Sequence, residues 1–288
     1  MNRPAKAVND PAGVARRARP LPLAFADRVG RALLRGLLRT VGRTSQGIRT
    51  GLRHGFDSGP ALDHVYLDRA RGSLGIGRLI DRAYLDAPGC RAVRARALLL
   101  RRTLHEEIAR RRPTDPENPV RILDVAAGTG RYLQDLLADH PHDAVEVICR
   151  DVAVLGLAQG RAEARKRGLT RIVYERGDAF DPEPPAHAPD VILVAGLYEL
   201  VLDEDLIRAS LARLRGLLAP GGALIFTIRT RHPRRDPIAG ALRERDGGPG
   251  PTRCRPAAQV AAWARRAGFR EVTQDREEVG LFTVTTAR

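Results

Sequence analysis

The chain has 288 residues, of which 43% are apolar and 29% charged, with 49 Lys and Arg against 34 Asp and Glu for a formal charge of +15. That is too apolar for wholesale disorder, and no uninterrupted apolar run approaches the ~18 residues of a membrane span. Cys90, Cys149 and Cys254 are scattered without a CxxC pair, which argues against a zinc centre or disulfide framework and leaves a reducing, cytoplasmic interior as the expected compartment.

Lys6 and Lys166 are the only lysines, so the basic excess is an arginine excess, and where it sits says more than its total. Residues 1–56 carry 12 basic and 2 acidic side chains, which places 10 of the 15 net charges there. Pro4, Pro11, Pro20 and Pro22 mark a disordered arm over residues 1–25. From Asp27, Val29, Leu33, Leu34, Leu37, Leu38 and Val41 recur at helical spacing, with Arg28, Arg31, Arg35, Arg39 and Arg43 on the remaining circumference. Ile48 and Leu52 continue the stripe. Such a segment, residues 26–53, can lie on an anionic membrane, or it can dock its leucines on this protein or a partner. No secretory h-region stands at the N-terminus.

Residues 57–118 read as a helical cap. Ser58 is a candidate N-cap before Pro60, Gly77 to Tyr84 suggests a short helix, and Val93, Ala97, Leu100, Leu104 and Ile108 mark a longer one that Pro113 ends. After Pro119 the texture turns to strand–helix alternation. Strands are expected at Val120 to Val125, Val145 to Cys149, Ile172 to Glu175, Val191 to Ala195, Ala223 to Ile228, Phe269 to Thr273 and Leu281 to Thr285. Between them, helices carry Leu133, Leu136 and Leu137, then a stretch to Arg167 closed by Gly168, then Ile207, Leu211, Leu214 and Leu218. The expected fold is α/β: a Rossmann-like, seven-stranded, mostly parallel sheet over residues 119–288, with helices on both faces.

The most informative stretch is Ile122-Leu123-Asp124-Val125-Ala126-Ala127-Gly128-Thr129-Gly130. Glycines between a strand and a helix let a backbone approach a ligand at the carboxyl edge of a sheet. A dinucleotide site uses similar glycines, but Asp124 would repel a pyrophosphate and Leu133 stands where a third glycine belongs. S-adenosylmethionine carries an ammonium and a sulfonium and no phosphate, so a carboxylate suits it. Asp151 closes the second strand, where a carboxylate can accept from ribose hydroxyls or cap the next helix. Asp178, in Gly177-Asp178-Ala179-Phe180, follows the third, where it can accept from the adenine amino group while Ala179 or Phe180 offers an apolar face.

Asp124 to Gly130, Asp151, Gly177 to Phe180 and Leu218-Ala219-Pro220-Gly221-Gly222 resemble the successive motifs of class I S-adenosylmethionine-dependent methyltransferases. More narrowly, Gly55-Phe56-Asp57-Ser58-Gly59, Tyr84-Leu85, Gly130-Arg131-Tyr132, Arg150-Asp151, Gly196-Leu197-Tyr198-Glu199-Leu200, His232-Pro233 and Gly280-Leu281-Phe282-Thr283-Val284 resemble a bacterial family of predicted methyltransferases, often fused behind an α/β-hydrolase domain. The chain has no GxSxG elbow, so no esterase activity is carried over. The resemblance implies S-adenosylmethionine as cofactor, with Asp124, Ala126, Gly128, Gly130, Tyr132, Asp151, Val152, Asp178, Ala179, Phe180 and Gly196 around it and no metal.

Methyl transfer from a sulfonium needs alignment foremost, and a base only where the acceptor must lose a proton. Tyr198, Glu199 and His232 are the candidate catalytic residues, and Tyr66 and Tyr84 could reach over the cofactor from the cap. The expected acceptor is a small or lipid-like molecule. An RNA or other nucleic-acid substrate is the alternative, disfavoured because the basic arm has almost no aromatics for stacking. A non-catalytic interaction module is a third reading.

Overall fold

The computed structural model describes residues 36, 40–73, 75–111, 118–140, 144–231 and 253–288. The apolar runs form seven strands: β1 (Val120–Asp124), β2 (Val145–Asp151), β3 (Ile172–Arg176), β4 (Val191–Val194), β5 (Ala223–Arg229), β6 (Val272–Arg276) and β7 (Phe282–Ala287). They make one sheet in the order β3-β2-β1-β4-β5-β7-β6. Neighbours from β3 to β5 are parallel, and β7 runs antiparallel to both β5 and β6. Strand β4 reads Val-Ile-Leu-Val without a break because it is buried along its whole length, as are β5 and β7. Edge strand β6 alternates instead.

Eight α-helices are described: α1 (Gln46–His54), α2 (Gly59–Leu67), α3 (Ile76–Leu85), α4 (Pro88–Arg111), α5 (Arg131–Asp139), α6 (Val154–Lys166), α7 (Glu204–Leu217) and α8 (Ala257–Arg266). Leu100, Leu104 and Ile108 of α4 join Leu133, Leu136 and Leu137 of α5 in the core on one face of the sheet. Ile207, Leu211 and Leu214 of α7 join Val260 and Trp263 of α8 on the other. Ser58 caps α2, its hydroxyl accepting from the Ala61 amide at 3.4 Å, as its place before Pro60 predicts. Gly168, with φ +68°, ends α6.

Two details differ from the sequence reading. Helix α8 was not anticipated. Strand β6 begins at Val272 rather than Phe269, which is instead buried beside α8. Ile48 of α1 is buried with Val65, Tyr84, Leu85 and Cys90, so the start of α4 packs with the cap, while its later residues Leu100, Leu104 and Ile108 lie in the core against the sheet.

Residues 46–54 are therefore not a free amphipathic stripe. The stripe from Val29 to Leu34, with Leu37 and Leu38, falls outside the described residues. No helix among the described residues is long and apolar enough to cross a membrane.

The cap is knotted by Asp81, whose fully buried carboxylate accepts from the Ser45 hydroxyl (2.6 Å), the Gly47 amide (2.7 Å), the Arg71 amide (2.7 Å) and His64 Nε2 (2.8 Å). Burial alone would raise its pKa. The four partners outweigh that and hold it below the usual carboxylate range.

Candidate functional site

Strand order reverses between β1 and β4, and ligands of open α/β sheets bind beyond the carboxyl ends of the strands at that point. A cavity of about 630 Å³ lies there, between the strand ends and the start of α2. Its size falls within the ~300–1,000 Å³ typical of small-molecule and cofactor sites. Gly128, Asp151, Val152, Asp178, Ala179, Phe180 and Gly196 all line it, as does Ala126. The sequence motifs after four different strands thus meet in one crevice.

Local geometry explains why each residue type stands there. Gly128 and Gly130 have φ of +57° and +62°, a region that side chains with a Cβ enter at a cost. The Gly128 amide donates to Asp151 Oδ2 at 2.8 Å, and Asp151 Oδ1 accepts from the Ala153 amide at 2.8 Å. Asp151 therefore both pins the glycine loop and turns the chain into α6. Asp178 Oδ1 accepts from the Phe180 amide at 2.8 Å while its carboxylate stays exposed, with acceptor capacity to spare. The cap closes directly over the loop: a Cβ on Gly59 would sit 3.3 Å from Gly128 Cα, and one on Gly156 would sit 3.2 Å from the Gly128 carbonyl carbon.

Other expected residues lie apart from the cavity wall. Asp124 is 0% exposed and lies beneath the loop, where its carboxylate accepts from the Tyr132 hydroxyl and from the Ala126 amide at 3.2 Å. Burial raises its pKa from 3.8 to about 7, against the pull of those two donors, and the charge of Asp151 adds to the rise. Asp124, expected beside a ligand amine, thus stands beneath the loop and not on the cavity wall. Tyr132 is buried with it and likewise supports the loop rather than lining the cavity. Gly130 begins α5, where a Cβ would meet Cys149 Sγ at 2.8 Å.

Two of the candidate catalytic residues are also buried away from the cavity wall. Tyr198 turns into the core, 0% exposed, its hydroxyl 2.9 Å from Ser210 Oγ and its ring against Phe226. Glu199 is 3% exposed, and its Oε1 accepts from Thr227 Oγ1 at 2.8 Å and from Arg96 Nη1 at 3.4 Å. Neither lines the cavity. His232 falls outside the described residues. Tyr84 packs on Phe56 inside the cap, whereas Tyr66 does line the cavity.

Sequence reasoning left out His54, Asp57 and Leu62, which the cap contributes to the wall, and Arg96, which is buried behind Gly196. Arg96 carried a readable signal: Ala92, Arg96, Leu100, Leu104 and Ile108 form one buried i, i+4 row of α4, with a guanidinium in an apolar stripe. No group of His, Cys, Asp and Glu able to hold a metal exists among the described residues.

The residues present fit S-adenosylmethionine. Two carboxylates with free acceptor capacity, an apolar wall at Ala179 and Phe180, and a loop whose glycines admit close approach suit a cationic nucleoside without phosphate.

Comparison with known proteins agrees. Residues 13–288 match a family described as "Putative methyltransferase". The chain is 37% identical over 273 residues to the uncharacterized protein YnbC of Escherichia coli (strain K12), covering 93% of this chain and 46% of that one. It is 25% identical over 134 residues to a malonyl-[acyl-carrier protein] O-methyltransferase of Paenibacillus sp. (strain JDR-2), covering 46% of each. The chain thus spans about half the length of these curated relatives. A crystal structure described as a possible exported protein from Bordetella parapertussis shares the fold, with TM-score 0.68 at 20% identity over 94% of this chain and 99% of that one. With this strand order, this glycine loop and a family match across nearly its whole length, the chain belongs to that methyltransferase family, within the class I S-adenosylmethionine-dependent methyltransferases.

Proposed function

We propose that the chain binds S-adenosylmethionine in the cavity between the ends of β1 to β4 and the start of α2, and transfers its methyl group to a small-molecule acceptor. The observation that carries this is the meeting of Gly128, Asp151, Asp178 and Phe180, which follow three successive strands, in one crevice. Asp178 and Phe180 are the residues for the base, Asp151 for the sugar hydroxyls, and Ala126 and Gly128 for close approach of the remainder. The bound cofactor supplies a methyl group on a positively charged sulfur. The protein's share is alignment and exclusion of water, and alignment alone is worth up to ~7–11 kcal/mol of barrier. The relative named as a malonyl-[acyl-carrier protein] O-methyltransferase supports an acceptor other than nucleic acid.

The test is calorimetric titration with S-adenosylmethionine, followed by incubation with tritiated methyl donor and a bacterial extract divided into small molecules, lipids, protein and RNA. Saturable binding with label in the small-molecule fraction is expected. Absent binding, or label confined to RNA, would overturn the reading.

The finer placement at a membrane, expected for residues 26–53, rests on the arginines and the leucine spacing before Ile48, whose own side chain is buried in the cap. A variant lacking residues 1–39 should sediment less with anionic liposomes and keep cofactor affinity; undiminished sedimentation would rule the arm out as an anchor, and with it a membrane-associated cytoplasmic location.

A further inference from the structure

The strand order gives the cavity a direction. Asp178, Asp151 and Gly128 follow β3, β2 and β1 in their spatial sequence, so a nucleoside laid across them carries its far end towards β4. There the wall is Ala195, Gly196, Leu197 and Leu200. Tyr66, from α2, belongs to the same end. Its hydroxyl is 3.5 Å from Arg96 Nη2, and Arg96 Nη1 is 3.4 Å from where a Cβ on Gly196 would stand.

Arg96 is unusually placed. It is 4% exposed, stacked 4.7 Å over the Phe282 ring, and tied to Glu199, which is tied in turn to Thr227. The Gly196 amide donates to Thr227 Oγ1 at 2.9 Å, so the loop after β4 hangs on this network. A buried ion pair rarely repays its desolvation through stability alone, which makes a functional reason worth seeking.

Hydrogen-bond polarity supplies one. A guanidinium has donors and no acceptor, so the Arg96–Tyr66 contact uses the phenol oxygen and leaves the phenol proton unspent. No other partner takes that proton among the described residues. The wall beside Gly196 therefore presents an O–H donor polarised from behind by a fixed positive charge. That suits an electron-rich oxygen and disfavours an amine.

We propose that Tyr66 donates its hydroxyl proton in a hydrogen bond to an anionic oxygen of the acceptor, with Arg96 as positioning residue behind it, and that the acceptor is a carboxylate or enolate methylated on oxygen. This deepens the methyl-transfer reading and rests on it. The acceptor oxygen's lone pair forms the O–CH3 bond, the C–S bond breaks, and its electron pair stays on sulfur. The sulfonium becomes a neutral thioether, and the acceptor loses its negative charge. No proton changes hands, which accords with Tyr198 and Glu199 both lying away from the cavity.

The experiment uses the full chain saturated with S-adenosylhomocysteine. Acetate, malonate and benzoate are titrated against acetamide, malonamide and benzamide, on wild type, on Tyr66→Phe and on the double variant Arg96→Gln with Glu199→Gln, which keeps the buried pair neutral. In wild type at least one carboxylate should bind ~10-fold or more tightly than its amide, a charge-assisted hydrogen bond being worth a factor of roughly 10–100. Both variants, each saturated with S-adenosylhomocysteine before titration, should lose most of that preference. Failure of S-adenosylhomocysteine to bind wild type would sink the methyl-transfer reading and this proposal together. Normal binding with no carboxylate preferred over its amide, or a preference that survives Tyr66→Phe, would overturn this proposal alone.

Discussion

Ionising Asp124 within the folded protein puts a charge where solvent does not reach, and the consequences can be worked out as a function of pH. Burial lifts its pKa from 3.8 to about 7 even though the Tyr132 hydroxyl and Ala126 amide favour the carboxylate. Between these values the folded chain keeps a proton that the unfolded chain has lost, so stability falls as pH rises from about 4 to about 7 and is level beyond. At ~1.4 kcal/mol per pH unit the full shift corresponds to about 4 kcal/mol. Wild type should lose stability relative to Asp124→Asn across this window in urea unfolding.

A cationic ligand over the Val125–Ala126 backbone reverses the balance, because nearby positive charge favours the carboxylate. Cofactor binding below about pH 7 should therefore release up to about one proton per site, and affinity should climb by as much as ~10-fold per pH unit before levelling off. Calorimetric titration with S-adenosylmethionine from about pH 5.5 to 8.5, in two buffers of different ionisation enthalpy, reads both quantities. Asp124→Asn should show a flat profile. An affinity in wild type that ignores pH, with no proton released, would refute the coupling.

Asp151→Ala strands the Gly128 amide, so it should cost about 1–3 kcal/mol in thermal unfolding and weaken cofactor binding at least ~10-fold by calorimetry; an unaltered affinity would remove Asp151 from the site. Gly130→Ala combines a φ of +62° with a Cβ 2.8 Å from Cys149 Sγ, and should lower stability by roughly 2 kcal/mol or more, which a melting curve equal to wild type would contradict. Asp81→Ala removes the shared acceptor of Ser45, Gly47, Arg71 and His64 and should cost about 3–5 kcal/mol. Its loss should show in hydrogen exchange as opening of α1 to α3 with β1 to β5 still protected; uniform loss would mean that cap and sheet unfold as one.

The sheet was legible because parallel strands buried on both faces leave unbroken apolar runs, as in Val191–Val194. Strand β6 slipped because an edge strand with Val272 and Gln274 half-buried offers little pattern, whereas the apolar Phe269 just before it is fully buried and drew the assignment upstream. Helix α8 offers a short stripe, Val260 and Trp263 being the only large apolar side chains on a buried face completed by Ala261 and Ala264. The glycine loop, Asp151 and Asp178 could be read because their chemistry is local to strand ends. Position after a strand does not fix which way a side chain points, and the sequence does not show that Tyr198 and Glu199, candidates for catalysis, are held by Ser210 and Thr227 away from the cavity wall. The cap's share of the wall depends on contacts between distant segments, such as Gly59 against Gly128, which no spacing rule reveals.

A crystal structure of the full chain with S-adenosylhomocysteine bears on all of this at once. Density should fill the cavity between the β1–β4 strand ends and α2, with the base against Phe180 and Asp178, the sugar at Asp151 and the sulfur directed towards Gly196. Density elsewhere on the surface, or none at saturating ligand, would contradict the assignment of the site.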